Sequence, residues 1–232
     1  MKKLLVISLL MLNCLRLLAQ DNTPGYDRQK YHFGFSMGYN ASSLAIVKNQ
    51  NFYQPDSLLA ISPISGPGFN LGLVADVLLY KHVNLRFTPN LSFVDRSLQY
   101  TFQDERKNTI RSIESTYVEF PLDIKIKADR RRNVGFYVIG GLKYSYDVIS
   151  NKKVTKGEDP FDEATRKVKL QSSGLSYEWG FGWDLYYQYF RFTPEIKFQH
   201  GISDLLKKEG HIYSRPLDKL FSRVICVTLY FE

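Results

Sequence analysis

The chain lacks the features that stabilise small exported proteins or anchor helical membrane proteins. Only two of its 232 residues are cysteines, Cys14 and Cys226, and Cys14 falls in an N-terminal segment that we expect to be removed. The one remaining cysteine cannot form an intrachain disulfide, which excludes a disulfide-stabilised scaffold. No stretch after that segment approaches the roughly 18 consecutive apolar residues of a transmembrane helix.

Histidine and clustered positive charge are also scarce. The four histidines show no metal-ligand spacing; they are His32, His82, His200 and His211. No basic cluster interleaves with a recognisable nucleic-acid module, and an exported protein rarely meets nucleic acid. The sequence therefore predicts no metal, no other cofactor, no nucleic-acid partner and no small-molecule substrate.

The N-terminus has the order of a secretory signal peptide. A basic start at Lys2 and Lys3 precedes the apolar run Leu4 to Leu12, and small or polar residues follow at Ala19 and Gln20. This order predicts that residues 1–20 direct export and are cleaved, leaving 21–30 as a short periplasmic segment. A lipoprotein anchored at Cys14 is disfavoured because the residues before it are not small.

The rest of the chain alternates apolar and polar residues in eight runs, as β-strands do. The third run is expected to continue to Phe102 after a bulge near Val94 and Asp95. The runs are Tyr31–Tyr39, Phe69–Leu79, Val83–Phe93, Val118–Lys127, Val134–Val148, Leu175–Tyr189, Phe190–Phe198 and Arg223–Phe231.

One face of these runs is aromatic and almost free of charge, and the other carries glycine and charged residues. Short connections at 81–82 and 128–133 alternate with long ones at 48–66, 149–170 and 203–219. This combination predicts an eight-stranded antiparallel transmembrane β-barrel over 31–232, in the outer membrane of a Gram-negative bacterium and in contact with lipid and lipopolysaccharide. The alternative is a soluble β-sandwich or lipocalin-type domain, whose apolar face forms a core and whose polar face is wet.

The segments RFTPNLSF from Arg86 and RFTPEIKF from Arg191 share an unusual proline. A proline removes one hydrogen-bond donor from the strand ladder, and lipid cannot replace that donor. We therefore expect Pro89 and Pro194 to interrupt strand pairing at equivalent places.

An eight-stranded barrel is just wide enough for side chains to fill its lumen. The predicted inward charges can pair into a structural plug, and the alternative is a polar path for ions or small solutes. These residues are Asp76, Arg86, Glu119, Asp123, Lys125, Lys143, Asp147, Glu178, Asp184, Arg191, Glu195 and Lys197.

Catalysis at the outer rim is a further alternative, because nucleophilic, basic and acidic residues fall in or beside the long connections. Hydrolysis needs such groups within hydrogen-bond reach, and no spacing in the sequence enforces that. We therefore expect no enzymatic activity. The candidate residues are Ser172, Ser173, Asp204, Glu209, His211 and Asp218.

Several stretches, taken in order, resemble the PorT family of Bacteroidetes outer-membrane β-barrels. They are LRFTPNLSF with Arg96 following, SIESTYVEFPL, the turn from Arg130 to Asn133, YVIGGLKYSYD and FRFTPEIKFQHGISDLL. The resemblance implies a non-enzymatic component needed for type IX secretion and associated with gliding: a scaffold, an assembly factor or a translocon partner.

The basic turn Arg130, Arg131 and Arg132 is a candidate periplasmic contact with other components of that system. Its alternative role is to anchor the turn at lipid headgroups. Three function classes therefore remain: a secretion component, a generic porin-like or ligand-binding barrel, and an outer-rim hydrolase.

Overall fold

The computed structural model describes residues 25–48, 58–103, 109–148, 171–207 and 217–232, so the predicted signal peptide lies outside the described residues. A short 3-10 helix, Tyr26–Arg28, precedes nine strands. They are β1 (Tyr31–Lys48), β2 (Leu58–Tyr80), β3 (Val83–Phe87), β4 (Asn90–Phe102), β5 (Thr109–Lys127), β6 (Val134–Asp147), β7 (Ser173–Tyr186), β8 (Arg191–Gly201) and β9 (Leu217–Phe231).

The strands close into an antiparallel ring. β1 pairs with both β2 and β9, and each strand from β5 to β9 pairs with the next. β3 and β4 both lie between β2 and β5, so they are two parts of one wall position. The predicted eight-stranded antiparallel barrel is confirmed, because nine segments fill eight positions and leave no open edge.

Side chains alternate between the lumen and the outer surface along each strand. Phe33, Leu73 and Trp179 point outward and expose 72%, 66% and 49% of their surface. A continuous surface of such residues is unfavourable in water and is expected where acyl chains cover it. Residues 25–30, Glu232 and the short connections 81–82, 128–133 and 187–190 lie at one end of the barrel, the periplasmic end in barrels of this kind.

At the opposite, outer end the strands run further than the apolar alternation predicts. β1 continues past the predicted run to Lys48, where the predicted loop 48–66 begins. β2 begins at Leu58, so the second end of that predicted loop is wrong. Three other strands also begin before their predicted runs: β5 at Thr109, β7 at Ser173 and β9 at Leu217.

Polarity is reversed in these outer extensions, which explains why the alternation does not reveal them. Towards the outer end their inward side chains are mostly apolar and form a buried cluster together with Leu205 and Leu206, which follow β8, while Ser62 and Ser97 face outward. The barrel wall therefore passes beyond the apolar belt into water, where the lumen becomes a conventional hydrophobic core. The cluster consists of Leu44, Ile61, Leu98, Tyr100, Leu205, Leu206, Leu217 and Leu220.

The bulge predicted near Val94 and Asp95 lies on the neighbouring strand. β4 pairs with β5 in unbroken register through Asp95, and its inward alternation continues from Val94 to Arg96. The register shift falls on β2 between Ser65 and Gly68, opposite Arg96 and Val94. The alternation of apolar and polar residues in β4 therefore shifts because the surroundings of the strand change. The same alternate residues continue to point into the lumen.

The prolines of both RFTP segments interrupt strand pairing. Thr88 and Pro89 separate β3 from β4. Pro194 interrupts the pairing on one side only. The β7–β8 pairing passes from Gly182↔Glu195 to Leu185↔Phe192, whereas Pro194 stays within β8 and pairs in register with Leu229 of β9, so the two prolines are not equivalent.

No helix of the described ranges is long and apolar enough to cross a membrane.

Candidate functional site: a charged plug in the lumen

All twelve inward charges named from the sequence lie inside the barrel and are buried. Seven are acidic and five are basic, so they can neutralise one another almost completely. A charge inside a barrel is costly unless it is paired and hydrogen-bonded, which makes the arrangement of these groups decisive. They form two layers in the periplasmic and middle parts of the lumen.

The lower layer is centred on Arg86 of β3. Its Nη2 lies 3.0 Å from Asp76 Oδ2 and 3.4 Å from Glu232 Oε1, while its Nη1 lies 3.3 Å from Glu195 Oε2. Arg191 of β8 pairs with Glu232 as well, and its Nη2 lies 3.5 Å from Asp76 Oδ2. Two guanidinium groups and three carboxylates thus connect β2, β3, β8 and the residue after β9 across the lumen.

Further donors complete this layer. Lys125 Nζ donates to Asp184 Oδ1 at 2.9 Å, and Thr193 Oγ1 donates to the same oxygen at 2.9 Å. The phenols of Tyr137 and Tyr230 donate to Glu195 at 2.5 and 2.7 Å. Hydrogen bonds of this kind stabilise a buried carboxylate that could not remain charged in apolar surroundings.

Glycine makes room for the buried tyrosine ring. A Cβ at Gly182 would lie 2.5 Å from Tyr137 Oη and 2.6 Å from its Cζ. Any larger residue at this inward position of β7 would therefore displace the ring that donates to Glu195.

The middle layer contains two separate groups. Lys197 Nζ lies 2.7 Å from Glu178 Oε1, 3.2 Å from Asp123 Oδ2 and 3.5 Å from Glu195 Oε1, so one ammonium serves three carboxylates and links this layer to the lower one. Beside it, Lys143 Nζ donates to Glu119 Oε1 at 2.7 Å and to Gln199 Oε1 at 2.5 Å. The remaining predicted residue is Asp147, which is buried at the outer end of β6.

The segment predicted to be a periplasmic tail folds, from residue 25 onward, into the periplasmic mouth of the barrel. Tyr26 stacks on His32 with ring centroids 4.4 Å apart, and the Arg191 guanidinium lies 5.1 Å from the Tyr26 ring centre. Burial raises the pKa of the Tyr26 phenol to about 12, so this group stays neutral at physiological pH. Asp27 accepts a hydrogen bond from Tyr186 Oη at 2.6 Å.

The three arginines of the β5–β6 turn are not equivalent. Arg130 is half-buried, with its guanidinium carbon 3.8 Å from the Tyr186 ring centre and its Nη1 3.6 Å from Asp27 Oδ2. It therefore holds the Tyr26–Arg28 helix in the barrel mouth. Arg131 and Arg132 are exposed, and Arg132 has a positive φ of 54°.

Sequence reasoning missed three charged residues of the lumen. Glu232 follows the last predicted run and pairs with both arginines of the lower layer. Lys127 ends β5, with its Nζ 3.6 Å from Asp27 Oδ1. Arg96 lies inside β4, where the mistaken bulge obscured its inward position. Extending the last run by one residue reaches Glu232, and extending the third run by three residues without a change of face reaches Arg96. Lys127 already ends the fourth run on its polar face and was not counted among the charges of the lumen.

The rim residues considered for hydrolysis are not drawn together into a catalytic site by the described part of the chain. Asp204 Oδ1 accepts the backbone N–H groups of Leu206 and Leu220 at 2.9 and 3.0 Å, which is a role in folding the loop. Ser172 and Ser173 stand at the start of β7 and Asp218 lies in β9. Glu209 and His211 lie outside the described residues. No group of three metal-ligating side chains is found in the described ranges.

A closed antiparallel ring with an apolar outer belt and a charged, filled lumen defines an outer-membrane β-barrel protein. The family model for the outer membrane protein beta-barrel domain matches residues 18–207, and the chain belongs to that family. Its place is therefore the outer membrane of a Gram-negative bacterium.

Solved structures with this fold include several outer-membrane barrels. OprG from Pseudomonas aeruginosa is 11% identical, with a TM-score of 0.50 over 88% of this chain and 95% of that one. Neisserial surface protein A is 11% identical, with a TM-score of 0.43 over 87% and 98%. Ail of Yersinia pestis is 11% identical, with a TM-score of 0.35 over 88% and 98%. At such identities the likeness concerns the fold alone. No curated protein matches the sequence significantly.

Proposed function

We propose that this barrel is a non-enzymatic component of the type IX secretion system, needed for protein export as a scaffold, an assembly factor or a translocon partner. One observation supports the proposal that the barrel does not act as a pore. Arg86 forms ion pairs across the lumen with Asp76, Glu195 and Glu232. These pairs occupy the space through which a solute would have to pass.

The proposed role in type IX secretion rests on the resemblance of the sequence to the PorT family. The resembling segments include those that build the plug: RFTPNLSF begins with Arg86, YVEFPL contains Glu119, and RFTPEIKF supplies Arg191, Glu195 and Lys197. The resemblance therefore extends to the interior of the barrel as well as to its lipid face. This supports a shared architecture and, through it, a shared role.

A barrel filled in this way would have to act through its surfaces. The exposed Arg131 and Arg132 form a positive tip at the periplasmic end, suited to an acidic patch on another component of the machine. Arg130 is occupied by Asp27 and Tyr186, so it contributes to the tip mainly by holding the turn in place.

Purified protein in planar bilayers is expected to show no steady steps of open-pore size. The physical reason is that the lumen is crossed by paired side chains at Arg86 and again at Lys197. An open porin measured in the same bilayers is the positive control. Stable ohmic steps from the barrel would support the generic porin-like alternative instead.

Deletion of the gene is expected to abolish or strongly reduce release of a cargo that carries a type IX C-terminal signal. The wild-type gene should restore release, and Arg131→Glu combined with Arg132→Asn should restore it poorly. Asparagine is chosen because it tolerates a positive φ at position 132. Lys81→Glu, in the exposed β2–β3 turn at the same end, is the matched charge-reversal control.

All variants must show equal amounts of heat-modifiable barrel on gels, so that a defect in release cannot come from misfolding. Normal release from the deletion strain would refute the secretion role. Full rescue by the Arg131 and Arg132 variant would refute the proposed contact and leave the secretion role standing.

A further inference from the structure

A polar cavity lies in the outer half of the lumen, above the paired charges and below the apolar cluster. Its wall includes Ser92 and Arg96 of β4, Tyr117 and Glu119 of β5 and Lys143 of β6. Leu205 of the apolar cluster borders it on the outer side. The cavity is therefore a distinct layer between the charged plug and the hydrophobic core.

Arg96 is the unusual member of this layer because it has no acidic partner among the residues that the structure describes. The side chain is 3% exposed, and none of the ion pairs among the described residues involves it. Its Nε donates to Ser42 Oγ at 2.7 Å, and its guanidinium carbon lies 5.5 Å from the Tyr117 ring centre. Neither neighbour carries a negative charge, so within the described part of the chain this buried positive charge has no ion-pair partner.

Two donors at this cavity lack acceptors. Arg96 Nη1 and Tyr117 Oη are both buried and make no hydrogen bond to the described residues. An unsatisfied buried donor destabilises the folded state, and a charged one does so more strongly. Both side chains belong to the lining of the same cavity, so one acceptor there could serve both.

The carboxylate in the cavity wall does not supply that acceptor. Glu119 is held by Lys143, with Oε1 2.7 Å from Nζ, so these two charges cancel. With Glu119 and Lys143 neutral as a pair, Arg96 leaves the lining with one net positive charge. A negative ligand is thus favoured over water, because it would neutralise the charge as well as accept hydrogen bonds.

We propose that Arg96 and Tyr117 form a binding site for one small monovalent anion, a halide or a carboxylate of formate size. The cavity volume is about 30 Å³, which accommodates a few atoms and excludes a sugar, a nucleotide or a peptide. The bound anion would neutralise Arg96 locally, between the middle layer of ion pairs and the apolar cluster. This inference stands apart from the secretion role.

Bromide is a suitable probe because its anomalous scattering locates it directly in crystals of the detergent-solubilised barrel. We expect an anomalous peak within hydrogen-bond reach of Arg96 Nη1 and Tyr117 Oη in the wild type. The peak should disappear in Arg96→Gln and remain in Arg28→Gln, which removes an exposed arginine at the periplasmic end. Absence of the wild-type peak, or its persistence in Arg96→Gln, would overturn the proposal.

Thermal unfolding provides a test in solution. At equal ionic strength, wild-type protein should have a higher Tm in sodium bromide than in sodium gluconate, whose anion is too large for the cavity. Arg96→Gln should lose the difference, with bromide affinity weakened about tenfold or more.

Tyr117→Phe keeps the aromatic ring and removes only the hydroxyl donor. This variant can therefore test the site even if Arg96→Gln does not fold. We expect it to retain the fold and bind bromide several-fold more weakly, while Arg28→Gln behaves as wild type. Equal bromide affinity in wild type and Tyr117→Phe would remove Tyr117 from the site. An equal Tm in both salts for the wild type would refute anion binding.

Discussion

Arg86→Met is expected to lower the free energy of unfolding by about 3–5 kcal/mol, because removal of one partner leaves buried charges uncompensated. Arg86 is fully buried and faces Asp76, Glu195 and Glu232 within 3.4 Å. Methionine fills much of the same volume, so the loss reports the charge and not a cavity. Arg191 would remain as a neighbour of Asp76 and Glu232 but not of Glu195.

Urea unfolding in lipid vesicles, followed by the shift between folded and unfolded bands on gels, measures this loss. Arg28→Met is the control, since Arg28 is exposed and should change stability little. Adding Asp76→Asn to Arg86→Met removes one orphaned carboxylate, and we expect it to restore part of the loss. A change of less than about 1 kcal/mol for Arg86→Met would mean that water or neighbouring groups already neutralise these acids.

Leu122→Arg is expected to destabilise the barrel by about 2–4 kcal/mol, the cost of a cation at the centre of the lipid-facing belt. Leu122 points outward from β5 with 50% of its surface exposed, five residues from the periplasmic end of that strand. The charge cannot reach the lumen from this face, because alternate residues of a strand point in opposite directions.

Ile110→Arg on the same face of β5 is the matched control. Ile110 is 60% exposed but lies in the outer extension, which we place in water. The same unfolding assay in vesicles should show almost no effect at this position. Equal losses at Leu122 and Ile110 would show that the apolar belt extends over the whole strand and that the outer extension is wrongly placed.

The sequence predicted those parts of the barrel in which outward apolar residues alternate regularly with inward polar or charged residues along the strand. Glu119, Asp123 and Lys125 alternate strictly with apolar neighbours, and the structure places all three in the lumen. A lipid-facing strand keeps this pattern because each outward position meets acyl chains and each inward position meets charge. The alternation therefore locates these residues before any contact is known.

The parts that could not be predicted are those where the environment changes along a strand. Leu98 and Tyr100 are buried like core residues of a soluble protein, although Arg96 on the same face is polar. In the sequence, this change looks the same as a bulge that moves the apolar residues to the other side of the strand. A bulge was therefore expected in β4. The partners of each charge were equally inaccessible, since Arg86 and Glu195 are 109 positions apart and meet only through the closed ring.

The lower layer of ion pairs also has a consequence for assembly. Arg86 belongs to β3, yet it depends on Glu195 of β8 and on Glu232, which follows β9. An unfinished barrel, with its final strand not yet docked on the first, would hold unneutralised ions next to hydrocarbon. Insertion should consequently be all-or-none, and a chain cut before Glu232 should be sensitive to quality control in the periplasm.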